Sequence, residues 1–251
     1  MEVTAVPHIP EVRPGDDLGA MIAERVDLRP DDVVLVASTV VSKAEGRQAD
    51  LSDFTASERA NSLAAGLEAA TGEEKDPRFA QAILAESEEV LTEAPFLLTV
   101  TRFGHVTVNA GIDRSNVPDA DLLLLPEDPM ASAQRLHEQL GCPVVVTDTS
   151  GRPFRYGQRG VAIGYAGMPA SRDWRGERDR DGRELSATVQ SVVDELAAAA
   201  NLVTGEGEGG TPVAVVRDWT FGDHDGSDEL FRRPEDDVVR AALQEWSHEG
   251  D

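Results

Sequence analysis

The chain has 251 residues, of which 40% are hydrophobic and 28% are charged, and its 47 acidic and 23 basic residues give a formal net charge of −24. This length is enough to bury a full core, as one domain or as two closely joined lobes. No apolar run approaches the ~18 residues of a membrane span, and the negative field excludes nucleic acid and anionic membranes as partners.

The start of the chain and its cysteine content indicate a cytoplasmic protein. Met1–Thr4 has neither the basic region nor the apolar region of a signal peptide. The single cysteine, Cys142, cannot form an internal disulfide, which fits a reducing compartment. The acid excess predicts a solvated surface adapted to molar salt, because screening shortens to ~3 Å at 1 M.

The first half of the chain alternates strand and helix signals. Apolar or alternating runs predict strands at 2–6, 32–38, 97–102 and 105–110, the last two forming a hairpin. Helical periodicity predicts helices at 16–25, 55–71 and 77–86.

The second half continues this pattern and includes one long charged segment. Strands are predicted at 122–125, 144–147, 161–165 and 212–217, and helices at 129–140, 185–202 and 234–246. Residues 172–183 have no apolar periodicity and form a charged excursion between elements. Hairpins mixed with strand–helix–strand units indicate a mixed α/β (α+β) fold.

Two aspartates follow predicted strands, Asp113 at the end of Asn109–Asp113 and Asp148 between Thr147 and Thr149. Carboxylate and hydroxyl oxygens at strand ends suit Mg²⁺ or Mn²⁺. Each aspartate can equally accept backbone amide bonds in an independent turn. The local pattern leaves both a shared metal and two separate turns open.

Two further segments can bind phosphate. Ser38, Thr39 and Ser42 precede Lys43, one of only two lysines, and the alternative is a surface lysine. The glycine-rich segment 204–211 runs from a helix to a strand without a lysine, so it is not a P-loop. It is either an anion-binding nest of amides, from which Glu206 or Glu208 can reach a metal, or a linker that ends a helix.

Several segments together resemble a known family. They occur in family order from near the N-terminus to Arg217, and they are 10–12, 15–17, 37–46, 109–116, 148–152, 164–167, 179–185 and 212–217. The chain is similar in these segments to the coenzyme F-420-0:L-glutamate ligases, also called F-420:gamma-glutamyl ligases. Residues 218–251 match only loosely.

The resemblance implies a specific activity. Such ligases use GTP to convert the terminal carboxylate of a deazaflavin coenzyme precursor, F-420-0, into an acyl phosphate. The amine of L-glutamate attacks it, and a second glutamate follows through the gamma-carboxylate of the first. The family needs Mn²⁺ or Mg²⁺, is stimulated by K⁺, has no P-loop or Rossmann motif, and forms an intertwined homodimer from a single ligase domain, here 1–251.

The resemblance also assigns residues. Asp113 and Asp148 are expected to bind a first metal and, with Lys43, to be catalytic; Thr149 and Glu206 are expected to bind a second metal. The expected GTP contacts are Ile9, Pro10, Glu11, Val12, Ser38, Thr39, Lys43, Asn116, Thr204, Gly205, Glu206, Gly207, Glu208, Gly209, Gly210 and Thr211.

Two other functions use the same residues. The carboxylates can serve a metal-dependent phosphohydrolase that attacks with water, or the chain can be a GTP-binding regulatory protein without catalysis. A pure binding protein would not need Asp113, Asp148, Thr149 and Lys43 together, which favours an enzyme. We also expect 172–183 to form a lid over the deazaflavin.

Overall fold

A computed structural model describes residues 1–115, 117, 119–207 and 209–248. In the described residues the strands are β1 (Glu2–Ala5), β2 (Val33–Ala37), β3 (Gln48–Ala49), β4 (Ser87–Thr92), β5 (Leu98–Thr101), β6 (Val106–Val108), β7 (Leu122–Leu123), β8 (Val144–Ser150), β9 (Arg159–Ala166), β10 (Ser171–Asp173), β11 (Val189–Ser191), β12 (Val213–Arg217) and β13 (Asp225–Ser227). The helices there are α1 (Leu18–Ala23), α2 (Ser38–Ala44), α3 (Glu58–Thr71), α4 (Pro77–Glu86), α5 (Pro129–Leu140), α6 (Val192–Thr204) and α7 (Val238–His248).

The mixed α/β class predicted from the sequence is confirmed, with several separate sheets. The chain divides into two compact units. The first combines Met1–Glu45 with Asp128–Leu230, and the second combines Gly46–Glu127 with Phe231–Asp251. In the described part of the chain, no helix combines the length and apolar character that a membrane-spanning segment requires.

The first unit is built on a five-stranded sheet in the order β1-β12-β2-β8-β9. β2 and β8 run parallel, whereas the other neighbours are antiparallel. The apolar runs of β2 and β8 lie at the centre, since strands covered on both faces need continuous hydrophobic side chains. Because β2 and β8 are parallel, Ala37 pairs with Thr147, and the residues after both strands emerge at the same sheet edge.

Two glycines of β9 let helices pack closely on this sheet. A Cβ at Gly164 would lie 2.2 Å from the carbonyl oxygen of Pro129, the first residue of α5. A Cβ at Gly160 would lie 2.4 Å from the carbonyl oxygen of Ala197 in α6. Neither position has room for a side chain without backbone movement. The apolar face of α6, including Val193 and Leu196, belongs to the core of this unit.

The second unit combines the antiparallel sheet β4-β5-β6 and the pair β3-β7 with α3 and α4. Ser57 caps the start of α3 and Gly72 ends it at φ +73°, where an L side chain would be strained. Asp76 caps α4, and Pro77 opens it. The helices bury Leu63, Leu67 and Ile83 in the core of this unit.

The predicted helix at 185–202 starts too early. α6 begins at Val192, because Val189–Ser191 instead pairs with Ser171–Asp173 as β11 and β10. The charged segment 172–183 begins in β10 and continues into the connection that leads to β11. In this connection the Trp174 N–H donates to the Thr188 carbonyl, and the Gly176 N–H donates to the Leu185 carbonyl. The sequence pattern also missed β4 and β13, and the last helix begins at Val238 rather than at 234.

Candidate metal and nucleotide site

One edge of the first unit's sheet brings Ser38 and Asp148 together. Ser38 follows β2 and opens α2, and Asp148 lies near the end of the parallel neighbour β8. The Ser38 hydroxyl donates to Oδ1 of Asp148 over 3.4 Å. Ser38 is only 4% exposed, so its hydroxyl faces this edge rather than bulk solvent.

A second polar contact joins β8 to the glycine-rich segment. The Thr149 hydroxyl donates to Oε1 of Glu206 over 2.9 Å, and Nδ2 of Asn201 donates to the same oxygen over 2.6 Å. Thr149 and Glu206 were predicted as ligands of one metal, and the structure places them in direct contact. Asn201 was not predicted, although an amide in an otherwise apolar stretch of α6 was its signal.

Asp148 and Thr149 are consecutive in a strand, so their side chains leave opposite faces of the sheet. Thr149 pairs with Gly160, which abuts α6, whereas Asp148 faces Ser38 at the start of α2. Asp148, predicted for a first metal, and Thr149 with Glu206, predicted for a second, therefore lie on two sides of the end of β8.

Lys43 is the charged group predicted to face phosphate. It lies in the last turn of α2, is 8% exposed, and its Nζ is 2.6 Å from Oε1 of Glu11. The Glu11 side chain is 60% exposed. Lys43 and Glu11, both predicted nucleotide contacts, thus form an ion pair with one end open to solvent. Ile9 and Val12 are buried, so their side chains belong to the core and only their backbone is free to face a ligand.

The two ends of the glycine-rich segment 204–211, Thr204 and Thr211, are in contact with each other after α6. The Thr211 hydroxyl donates to the Thr204 carbonyl over 3.1 Å. Gly205 and Gly210 adopt positive φ angles of +69° and +57°, which explains glycine at both positions. A Cβ at Gly207 would meet nothing within 4 Å. Packing therefore does not require glycine there, and the backbone remains open for a ligand.

Asp113 lies in the second unit, after a turn in which Asn109 and Ala110 have φ of +54° and +55°. Its backbone pairs with Leu123. Its Oδ1 accepts hydrogen bonds of 2.7 Å from the amide and the hydroxyl of Ser115, the arrangement expected of a turn. Its sharing of a metal with Asp148 stays a prediction. Asn116 and Glu208, two more predicted site residues, lie outside the described residues.

The donor set at the edge of the first unit suits a hard cation. Asp148, Thr149, Glu206 and Ser38 offer carboxylate and hydroxyl oxygens, the ligands that Mg²⁺ and Mn²⁺ prefer. Within the described ranges, no three His, Cys, Asp or Glu side chains gather into a metal-binding group. On each side of β8 two oxygen-bearing side chains, Ser38 with Asp148 and Thr149 with Glu206, suit an ion that completes its shell with substrate oxygens or water.

The mixed α/β fold and an edge rich in carboxylate and hydroxyl oxygens are typical of a metal-dependent enzyme, and the sequence contains no P-loop. The chain belongs to the F420-0:gamma-glutamyl ligase family, because the sequence profile described as F420-0:Gamma-glutamyl ligase matches residues 7–218.

Curated relatives named coenzyme F420:L-glutamate ligase match all or nearly all of the chain. The Natronomonas pharaonis protein is 70% identical over 100% of this chain and 99% of its own length. The Halorubrum lacusprofundi protein is 71% identical over 98% of this chain and 99% of its own length. The Archaeoglobus fulgidus protein is 46% identical over 97% of this chain and 98% of its own length. The similarity therefore continues past residue 218, where the family profile ends.

Proposed function

We propose that this protein is a GTP-dependent ligase that adds L-glutamate to coenzyme F420-0, and then a second glutamate through a gamma-glutamyl bond. The observation that carries this proposal is the full-length similarity, at 70% identity, to a protein named coenzyme F420:L-glutamate ligase. The reaction class, an amide-forming ligation, agrees with the family as a whole.

The chemistry requires two anions to approach each other. The carboxylate of F420-0 attacks the terminal phosphate of GTP, GDP leaves, and an acyl phosphate forms. The amine of glutamate then attacks the acyl carbon, and inorganic phosphate leaves. Bound Mg²⁺ or Mn²⁺ would neutralise phosphate charge in the first step.

Side chains of the protein would supply the metal ligands and a further positive charge for this reaction. Asp113 and Asp148 would hold one divalent ion, and Thr149 with Glu206 a second; K⁺ would stimulate the reaction as in the family. Lys43, already buried beside Glu11, adds a fixed positive charge where phosphate is expected.

The nucleotide contacts that we propose surround this edge. Ile9–Val12, Ser38, Thr39 and Lys43 all belong to the first unit, and the segment 204–211 would contribute backbone amides. Asn116 would complete the set. The proposed assembly is a homodimer in the cytoplasm, with GTP, L-glutamate and F420-0 as its small-molecule partners.

One assay separates this function from a metal-dependent phosphohydrolase and from an inactive GTP-binding regulator. The protein is incubated with GTP, Mn²⁺, L-glutamate and F420-0, and the coenzyme mass is followed. A gain of one or two glutamyl units that requires both GTP and glutamate supports the ligase. GTP hydrolysis at the same rate without glutamate and F420-0 identifies a phosphohydrolase, and binding without turnover identifies a regulator.

A further inference from the structure

The connection between β8 and β9, taken together with the first residue of β9, has the opposite charge to the rest of the molecule. Residues 151–159 contain Arg152, Arg155 and Arg159 and no acidic residue, in a chain of net charge −24. Among the described residues, none of these guanidinium groups forms an ion pair with a carboxylate. Nε of Arg152 is buried and has no hydrogen-bond partner there. The segment, which we call the arginine loop, therefore presents unneutralised positive charge.

Two aromatic side chains project from the same loop. Phe154 is 105% exposed and Tyr156 is 102% exposed. Phe154 also has a φ of +63°, which is rare for a bulky side chain. Full exposure of two neighbouring rings is unfavourable in water, and rings beside guanidinium groups are suited to stack on a flat aromatic ligand that carries negative charge.

The arginine loop starts immediately beyond the proposed metal ligands. Only Ser150 and Gly151 separate Thr149 from Arg152, so the loop begins within ~10 Å of chain length from the oxygen-rich edge. A ligand held by the loop can therefore extend towards Asp148 and Thr149 without crossing the unit.

Residues 172–183 do not offer the same surface. Their five arginines are interspersed with four acidic residues, so the opposite charges largely cancel, and Arg175 forms an ion pair with Asp173. A segment that neutralises its own charge attracts an anion less than one that does not. This difference favours the arginine loop over 172–183 as the element that recognises an anionic substrate.

We infer that the arginine loop binds the deazaflavin substrate, with Phe154 and Tyr156 stacking on its ring and the arginines holding its anionic groups. This inference rests on the proposed function. The loop also solves an electrostatic problem, because an anionic substrate must approach a strongly acidic protein and needs a local region of positive potential.

The test measures binding of F420-0 by calorimetry, without GTP or glutamate, to the wild-type protein and to two variants. The double variant Phe154→Ala/Tyr156→Ala and the variant Arg155→Gln change exposed side chains, so both should fold. We expect each to bind F420-0 at least ~10-fold more weakly, the scale of one lost stacking or charged contact. GDP binding in the presence of Mn²⁺ should stay within twofold of wild type.

Two matched variants control for general surface effects. Val238→Ala removes an apolar side chain that is 81% exposed, and Arg232→Gln removes a guanidinium at an exposed position outside the proposed sites. Both should bind F420-0 as the wild type does.

Each other outcome overturns the inference. Unchanged F420-0 affinity in both loop variants overturns it while leaving the ligase intact, provided that the wild type ligates glutamate. A fall in affinity accompanied by a smaller particle mass in ultracentrifugation would show that the loop is a subunit contact instead. A wild-type protein that neither binds F420-0 nor ligates glutamate would overturn the proposed function itself.

Discussion

The hydroxyl of Thr149 donates a 2.9 Å hydrogen bond to Oε1 of Glu206, which ties the end of β8 to the glycine-rich segment 57 residues later. Asn201 donates to the same oxygen, so one carboxylate oxygen is fixed by a strand and by the last turns of α6. A carboxylate fixed in this way is oriented before any cation arrives, which lowers the cost of ordering it on binding.

The first prediction concerns this carboxylate. Glu206→Gln keeps the shape of the side chain but removes its charge, and we expect Mn²⁺ affinity in the presence of GDP to fall ~10–100-fold. Calorimetric titration measures the change. Glu245→Gln, in an exposed position of α7, is the matched control and should bind Mn²⁺ normally. Equal Mn²⁺ affinities in the two variants would show that Glu206 is not a metal ligand.

The second prediction concerns the pair formed by Lys43 and Glu11. Lys43→Met leaves Glu11 without its partner, but the Glu11 side chain is 60% exposed and water can solvate it. We therefore expect a stability change of less than ~1 kcal/mol. GTP affinity should fall at least ~10-fold, because a positive charge near phosphate is lost.

Thermal unfolding and nucleotide titration of Lys43→Met give the two readouts separately. Lys75→Met is the control, since Lys75 forms an ion pair with Glu73, two residues earlier in the chain and outside the proposed site. Unchanged nucleotide affinity in Lys43→Met would show that Lys43 serves its ion pair alone.

Local sequence patterns predicted those helices and strands whose ends are determined by residues close to them in the sequence. The helix at 77–86 was predicted at its observed bounds, because Asp76 and Pro77 specify its start through local geometry. The helix predicted from 185 failed at its start because the backbone of Val189–Ser191 pairs with Ser171–Asp173, a contact that no local periodicity encodes.

The same distinction applies to the site. The residue types at Asp148, Thr149 and Glu206 indicated oxygen ligands, but the parallel pairing of β2 with β8 is what brings Ser38 to Asp148. Asn201 was missed because its hydrogen bond to Glu206 forms only when the chain after α6 folds back towards the end of that helix. The exposure of Phe154 and Tyr156 likewise follows from the loop conformation and not from the sequence pattern.

The third prediction concerns pH. Burial, aided by the negative charge of Asp32, raises the pKa of the Cys142 thiol to about 11, from 9.0 in an unfolded chain. Between these values the unfolded chain loses the thiol proton while the folded protein keeps it, so stability falls as pH rises from 9 to 11. The part of the decrease in unfolding free energy that is due to this thiol should reach about 2 kcal/mol at pH 11.

Denaturant unfolding of wild-type protein and Cys142→Ala at pH 8, 9, 10 and 11 isolates this contribution. The variant starts less stable because a buried side chain has been shortened, but its stability should fall less over this range. Parallel pH curves for the two proteins would mean that the thiol does not titrate differently on folding.

The fourth prediction concerns salt. A net charge of −24 destabilises the compact state through self-repulsion, and KCl screens that repulsion. We expect the unfolding temperature to rise by at least ~5 °C between 0.1 and about 2 M KCl, equivalent to ~1–2 kcal/mol. An unfolding temperature independent of KCl would contradict salt adaptation.

The most direct test of the ligase proposal is the mass of the deazaflavin product formed by wild-type protein and by Asp148→Asn under the same conditions. With GTP, Mn²⁺ and L-glutamate, wild-type protein should convert F420-0 into species heavier by one and two glutamyl units. Asp148→Asn should keep the wild-type unfolding temperature within a few degrees and form no such product. A wild-type protein that leaves the mass of F420-0 unchanged, or an Asp148→Asn variant that ligates at the wild-type rate, would contradict the account.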